Sequence, residues 1–208
     1  MDNRIKKIIE NWKTRNIAGL YCATKNEAVD KILGLIPAGS SVGFSGSVSL
    51  EQIGIISMLE KRGNVVANPY KQGISRQESL FLRKKGAVSD FYLASPNGVS
   101  ENGELVFFSA FGNRIAGISY ADNLILVAGI NKIVPNLEEA IKRSRLVATP
   151  LNCKRLNWQS PCFSDGVCKE NICRFPEHKR MCCQILIIEA EIMPGRIKVI
   201  LVDEELGF

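Results

Sequence analysis

Five of the seven cysteines and the single histidine lie between Ser160 and Cys183, in the stretch SPCFSDGVCKENICRFPEHKRMCC. The spacing is Cys162-x5-Cys168-x4-Cys173-x8-Cys182-Cys183. Four thiolates would satisfy tetrahedral zinc or an iron–sulfur cluster, since both favour soft, deprotonated sulfur. His178 could replace one of them. A zinc ribbon normally carries two CxxC pairs, however, and this stretch has none. On spacing alone three readings stand open: a bound metal, redox-active thiols, and buried cysteines acting as small hydrophobes. A disulfide set fits poorly because the cysteine count is odd. The polar start MDNRIKK has no apolar signal core, so a cytoplasmic location with reduced thiols is expected.

Four other positions could do chemistry. VGFSGSVSLEQIG, from Val42 to Gly54, reads as a strand, a Gly/Ser turn and a helix start. Gly46 lets a ligand approach the backbone, and Ser47 and Ser49 add hydroxyl donors for an anion. It is neither a Walker loop nor a dinucleotide fingerprint, and an ordinary strand-to-helix connection would look the same. Glu101 sits beside the Asn102-Gly103 hairpin signal, where a carboxylate could serve as nucleophile or general base, or simply face solvent. Arg114 follows a glycine and could clamp a carboxylate or phosphate. Lys132 stands just beyond the strand NLILV, a place for electrostatic or Schiff-base work or for a plain surface lysine.

These residues need elements to position them. Ile5, Ile8, Ile9 and Trp12 recur at helical spacing. Thr24 with Glu27, Ser75 with Glu78, and Asn136 with Glu139 are cap signals before helices. A third helix is expected to start at a Ser49 cap, with Gln52 at its third position. AGLYCAT, SVGFS, NVVAN, DFYLAS, ELVFFS and NLILVAG read as strands, and QILIIEA and RIKVILV as two more joined by the turn EIMPG. Alternating helices and continuously apolar strands predict an α/β fold, a largely parallel sheet flanked by helices. One domain over 1–208 is expected, with an irregular cysteine-rich segment over 150–183, before the last two strands.

Composition narrows the function classes. Apolar residues make up 46% and charged residues 23% of 208, so the chain can bury a core. The net charge of +6 is spread along the chain, and no basic aromatic groove or recognition helix stands out. Nucleic acid is therefore an unlikely partner and a small anionic ligand a better one. No apolar stretch spans a bilayer, so no membrane partner is expected.

Several stretches together resemble one family. SVGFSGSVSLEQIG, DFYLASPNGVSENGELV, GNRIAG, VAGINKIVPNLEEAI, the cysteine stretch and PGRIKVILVDEELGF are similar, in order, to the LUD domain of lactate utilisation proteins. The resemblance implies a fold like ribose-5-phosphate isomerase, glucosamine-6-phosphate deaminase and coenzyme A transferase. It implies a role, accessory or catalytic, in L-lactate oxidation, with a carboxylate, phosphate or acyl-CoA ligand. Asn97 and Asn113 match polar positions of the family pattern, and Cys162, Cys168, Cys173 and Cys182 match its cysteines. Cys22, Cys153 and Cys183 do not match it. Ser100-Glu101-Asn102-Gly103 is similar to the signature in which a coenzyme A transferase glutamate attacks a thioester. Two alternatives follow: a transferase- or isomerase-like enzyme using Glu101, and a non-catalytic interaction subunit with a structural metal. Other lactate utilisation proteins, or a second copy in a homo-oligomer, are the protein partners that the resemblance allows.

Overall fold

The computed structural model describes residues 2–169 and 173–208. The elements run α1 (Asn3–Thr14), β1 (Ala18–Cys22), α2 (Lys25–Leu35), β2 (Ser41–Phe44), α3 (Val48–Gln52), α4 (Ile55–Lys61), β3 (Val65–Ala67) and α5 (Arg76–Gly86). They continue with β4 (Phe91–Ala94), β5 (Gly98–Ser100), β6 (Leu105–Ser109), α6 (Asn113–Tyr120), β7 (Asn123–Gly129), β8 (Ile133–Val134), α7 (Leu137–Arg143), α8 (Thr149–Arg155), β9 (Gln184–Ile188) and β10 (Ile197–Val202). Among the described residues no helix is long and apolar enough to cross a membrane.

Local chemistry sets the helix starts. Thr24 accepts from the Glu27 amide at 3.2 Å, Ser75 from Glu78 at 3.1 Å, and Asn136 from Glu139 at 2.9 Å. Each satisfies a backbone donor that the first helical turn leaves orphaned. The expected Ser49 cap is corrected to Ser47, whose hydroxyl accepts from the Leu50 amide at 3.3 Å. Ser49 is buried and its hydroxyl is engaged elsewhere. Gly54, at φ 68°, then breaks the expected third helix into α3 and α4.

Six strands form the main sheet, in the order β1-β10-β7-β4-β2-β3, with every pairing parallel. Its central strands are almost wholly apolar because both faces are covered. Along β7, Leu124, Leu126 and Ala128 enter one core while Ile125 and Val127 enter the other. The second core lies under α2, α3 and α4, around Ile32, Leu50 and Leu59. The first is covered by α1, by α6 and by a feature absent from the sequence reading, a second sheet ordered β8-β5-β6-β9. Val99, Leu105 and Phe107 of that sheet face the main one, while Val106 and Phe108 face α7. The last two strands are not a hairpin: β9 pairs with β6 in the small sheet and β10 enters the main sheet between β1 and β7.

α5 meets β2 at backbone distance. A methyl group on Gly43 would stand 2.0 Å from the Gly86 carbonyl oxygen, so only glycine fits. Gly34 on α2 has nothing within 4 Å of such a methyl. Gly43→Ala is expected to destabilise the protein by about 2 kcal/mol or more, lowering the melting temperature by roughly 4–8 °C. Gly34→Ala should leave it unchanged or raise it slightly, since alanine is the better helix former. Thermal unfolding followed by circular dichroism checks both.

Candidate functional site

Parallel strands place their carboxyl ends on one edge, and three neighbours, β7, β4 and β2, deliver the site. After β3 the chain returns across β2 to lay down β4, so the loops after β2 and β4 part there. Such a switch point is where open α/β sheets bind ligands.

Lys132 follows β7 through a short 3-10 turn and is only 4% exposed. Its ammonium donates to Ser49 Oγ at 2.9 Å, Ser95 Oγ at 2.7 Å and the Pro96 carbonyl at 3.2 Å. Three acceptors match its three hydrogens. Ser49 in turn donates to the Leu206 carbonyl at 3.1 Å. Burial, with the charges of Arg143 and Arg114 nearby, pushes Lys132 well below the ordinary lysine range.

Arg114, on the first turn of α6, donates to Asn97 Oδ1 at 3.0 Å, to the Phe108 carbonyl at 3.3 Å and to the Gly46 carbonyl at 2.7 Å. Arg143 lies behind, donating to the carbonyls of Asn97 and Asn131 and to a main-chain oxygen of Phe208. Burial lowers the pKa of both arginines. Among the described residues, neither Lys132 nor Arg114 forms an ion pair.

Gly46, Ser47, Ser49, Asn97, Asn113, Arg114 and Lys132 all line one cavity of about 730 Å³. Four cations line it, Arg83, Arg114, Lys132 and Arg155, against two carboxylates, Glu51 and Glu60. Glu60 is already engaged by Lys71 at 3.4 Å. Two details differ from expectation. The Gly46 amide is taken by Tyr70, whose hydroxyl oxygen accepts from it at 2.7 Å. Ser47 accepts from the α3 backbone as its cap, while Ser49 accepts from Lys132 and spends its own proton on the Leu206 carbonyl, so Ser49 is not a free donor.

Glu101 is not among the cavity-lining residues. It pairs with Arg4 at 2.6 Å and lies 4.0 Å from Lys7. β5 explains the separation: Asn97 precedes it at the cavity end and Glu101 follows it, four extended residues or roughly 13 Å away. The turn docks on α1 instead. Trp12 donates to the Gly103 carbonyl at 2.9 Å and Arg15 to the Asn102 carbonyl at 2.9 Å.

Cys162 is buried, and Cys168, Cys173 and Cys182 are half-buried. Among the described residues, no three or more of His, Cys, Asp and Glu converge as ligands of a metal ion would. The four thiols expected from the sequence do lie near one another: burial pushes the Cys173 thiol up, and Cys162, Cys182 and Cys168 nearby add to the rise. Two of these thiols also have a polar partner. Cys162 Sγ lies 3.3 Å from Ser160 Oγ, and Arg180 donates to Cys182 Sγ at 3.3 Å. Cys153, on α8, joins them: burial pushes its thiol up to about 12, and Cys162 beside it adds to the rise. That keeps Cys153 protonated and inert. The part of the segment from Cys168 to Cys173 includes residues 170–172, which lie outside the described residues.

The segment nonetheless reaches the cavity. Trp158 and Met181 line it, with Asn152, Arg155 and Leu156 of α8 and the turn after it. The Trp158 amide donates to the Cys153 carbonyl at 2.9 Å and its indole to the Lys179 carbonyl at 2.7 Å. Ser95, Tyr70, Phe111 and Trp158 escaped the sequence reading. Only Ser95 carried a signal, as the last residue of the strand-like DFYLAS.

The LUD domain family model matches residues 5–202. None of the curated proteins matches the chain. Among solved structures, a DUF162-family protein from Deinococcus radiodurans aligns with a TM-score of 0.49 at 13% identity, over 96% of this chain and 94% of that one. Ribose 5-phosphate isomerase A from Neisseria gonorrhoeae gives 0.35 at 17% identity over 54% of each chain. Ribose 5-phosphate isomerase from Plasmodium falciparum gives 0.34 at 18%, over 54% of this chain and 53% of that one. These structural likenesses are too distant to assign chemistry. The family match covers nearly the whole length, and the chain belongs to the LUD domain family.

Proposed function

We propose that the protein binds a small carboxylate- or phosphate-bearing ligand in this cavity, in the service of lactate utilisation. Family membership supports the metabolic setting, and the cavity supports the ligand class. The observation that carries the reading is the gathering of Lys132 and Arg114 in one cavity with no ion-pair partner among the described residues. A buried cation without a counter-charge is costly, and an anion entering the cavity would relieve that cost. Arg114 would hold the anion's edge, and Lys132 would set the field behind it. An amine so placed can also polarise a carbonyl or, when neutral, attack one. A transferase- or isomerase-like role for Glu101 lacks this support, because its carboxylate faces Arg4 on α1.

Phosphate, pyruvate and lactate can be screened as probes by thermal shift. Saturation at 100-fold over Kd stabilises by about 2.7 kcal/mol, a rise of roughly 5–10 °C at this chain length. Arg114→Met should abolish the rise and Glu101→Gln should keep it. No rise with any of the three, or a full rise in Arg114→Met, would sink the reading.

The same site should be pH-dependent. A bound anion favours the ammonium form of Lys132, so binding takes up a proton wherever the free site holds a neutral amine. That window lies between the lowered Lys132 pKa and the ordinary value of 10.5. Affinity is expected to rise as pH falls from 10.5 through the window and then to level off. Isothermal titration across pH checks the slope, which Lys132→Met should flatten.

A further inference from the structure

The cavity is larger than the anion needs. Lactate has six non-hydrogen atoms; at about 30 Å³ per water-sized group it fills roughly a quarter of the space. The remaining volume has a distinct chemistry. Phe111 is 68% exposed although it lies only three residues from Arg114. Its ring meets Trp158 edge-on, with centroids 5.7 Å apart and planes at 80°. The Trp158 face is fixed at both ends, by its amide on Cys153 and its indole on Lys179. Leu156, 48% exposed, lines the same side. Solvent-facing aromatic surface held in place beside a cationic floor is the arrangement that receives a planar ring carried on an anion.

We propose that the cavity takes a nucleotide, with its phosphate on the Arg114 and Lys132 floor and its base stacked on the Trp158 ring beside Phe111. The inference rests on the anion site proposed above and specifies the other half of its ligand. A free nucleotide and the nucleotide end of coenzyme A share this chemistry.

The chain supplies its own probe. Of the two tryptophans, Trp12 on α1 is fully buried and donates to the Gly103 turn, so only Trp158 faces the cavity. Titration of the full chain with AMP should quench tryptophan fluorescence saturably, and the quench should vanish in Trp158→Phe. Isothermal titration should show AMP binding roughly tenfold or more tighter than ribose 5-phosphate, the same molecule without its base. Trp158→Ala should erase that difference while leaving ribose 5-phosphate within about twofold of its starting affinity. Circular dichroism of each variant confirms that it folds. Coenzyme A, run in parallel, distinguishes the sources: tighter binding than AMP assigns the larger ligand, and weaker binding the free nucleotide.

Equal affinity for AMP and ribose 5-phosphate, a quench that survives Trp158→Phe, or no binding of AMP would overturn the proposal. The two readings fail separately. If phosphate and ribose 5-phosphate bind but the base adds nothing, the anion site stands and the ring site falls. If AMP quenches Trp158 yet Arg114→Met binds it equally well, the ring site stands and the anion site falls.

Discussion

One buried ammonium organises the cavity. Lys132 draws Ser49 from α3, Ser95 from the end of β4 and the Pro96 carbonyl onto a single nitrogen. Ser49 then reaches the Leu206 carbonyl, tying the tail after β10 to the same point. Segments far apart in sequence thus meet because a cation beneath a sheet edge needs every acceptor within reach. Arg114 does the same at the next corner, joining the Gly46 loop, Asn97 and Phe108. Both cations are held by neutral oxygens, so the framework is satisfied in hydrogen bonds while its charge is left open. That asymmetry turns a structural knot into a binding floor.

The second sheet has a different task. It covers one face of the main sheet where a helix layer would otherwise lie, and it carries Asn97 and Phe108 to the cavity. β9 anchors the end of the cysteine segment to β6, which fixes one side of the wall that holds Met181 and Trp158. α7 and α8, joined by a π-helical turn over Ser144–Ala148, bring Asn152 and Arg155 to that wall. Such turns widen a helix locally and often accompany functional surfaces.

What the sequence revealed depended on how local the cause was. The caps at Thr24, Ser75 and Asn136 are three-residue motifs and read directly. The strand ends that deliver Gly46 and Lys132 were legible because periodicity places them. Ser47 displaced Ser49 as a cap because a lysine 83 residues away claimed the Ser49 hydroxyl, which no window around Ser49 can register. Glu101 stands apart from the cavity for a geometric reason that sequence proximity hides: its motif lies next to Asn97 in the chain, but extended chain carries it to the other end of the hairpin. Cys153 joined the thiols through helix α8 rather than through spacing. The separation of QILIIEA and RIKVILV into two sheets was equally hidden, since their apolar patterns suit either one.

The three residues of β5 have a consequence for how such a chain can change. At one end they present Asn97 to the cavity, and at the other the Ser100–Gly103 turn grips α1. Substitutions in that turn alter how firmly the first helix is fastened without touching the cationic floor. Substitutions near Asn97 alter the floor without loosening the helix. So short a strand insulates the two, and lineages carrying this fold can drift in thermal tolerance and in ligand preference along separate paths.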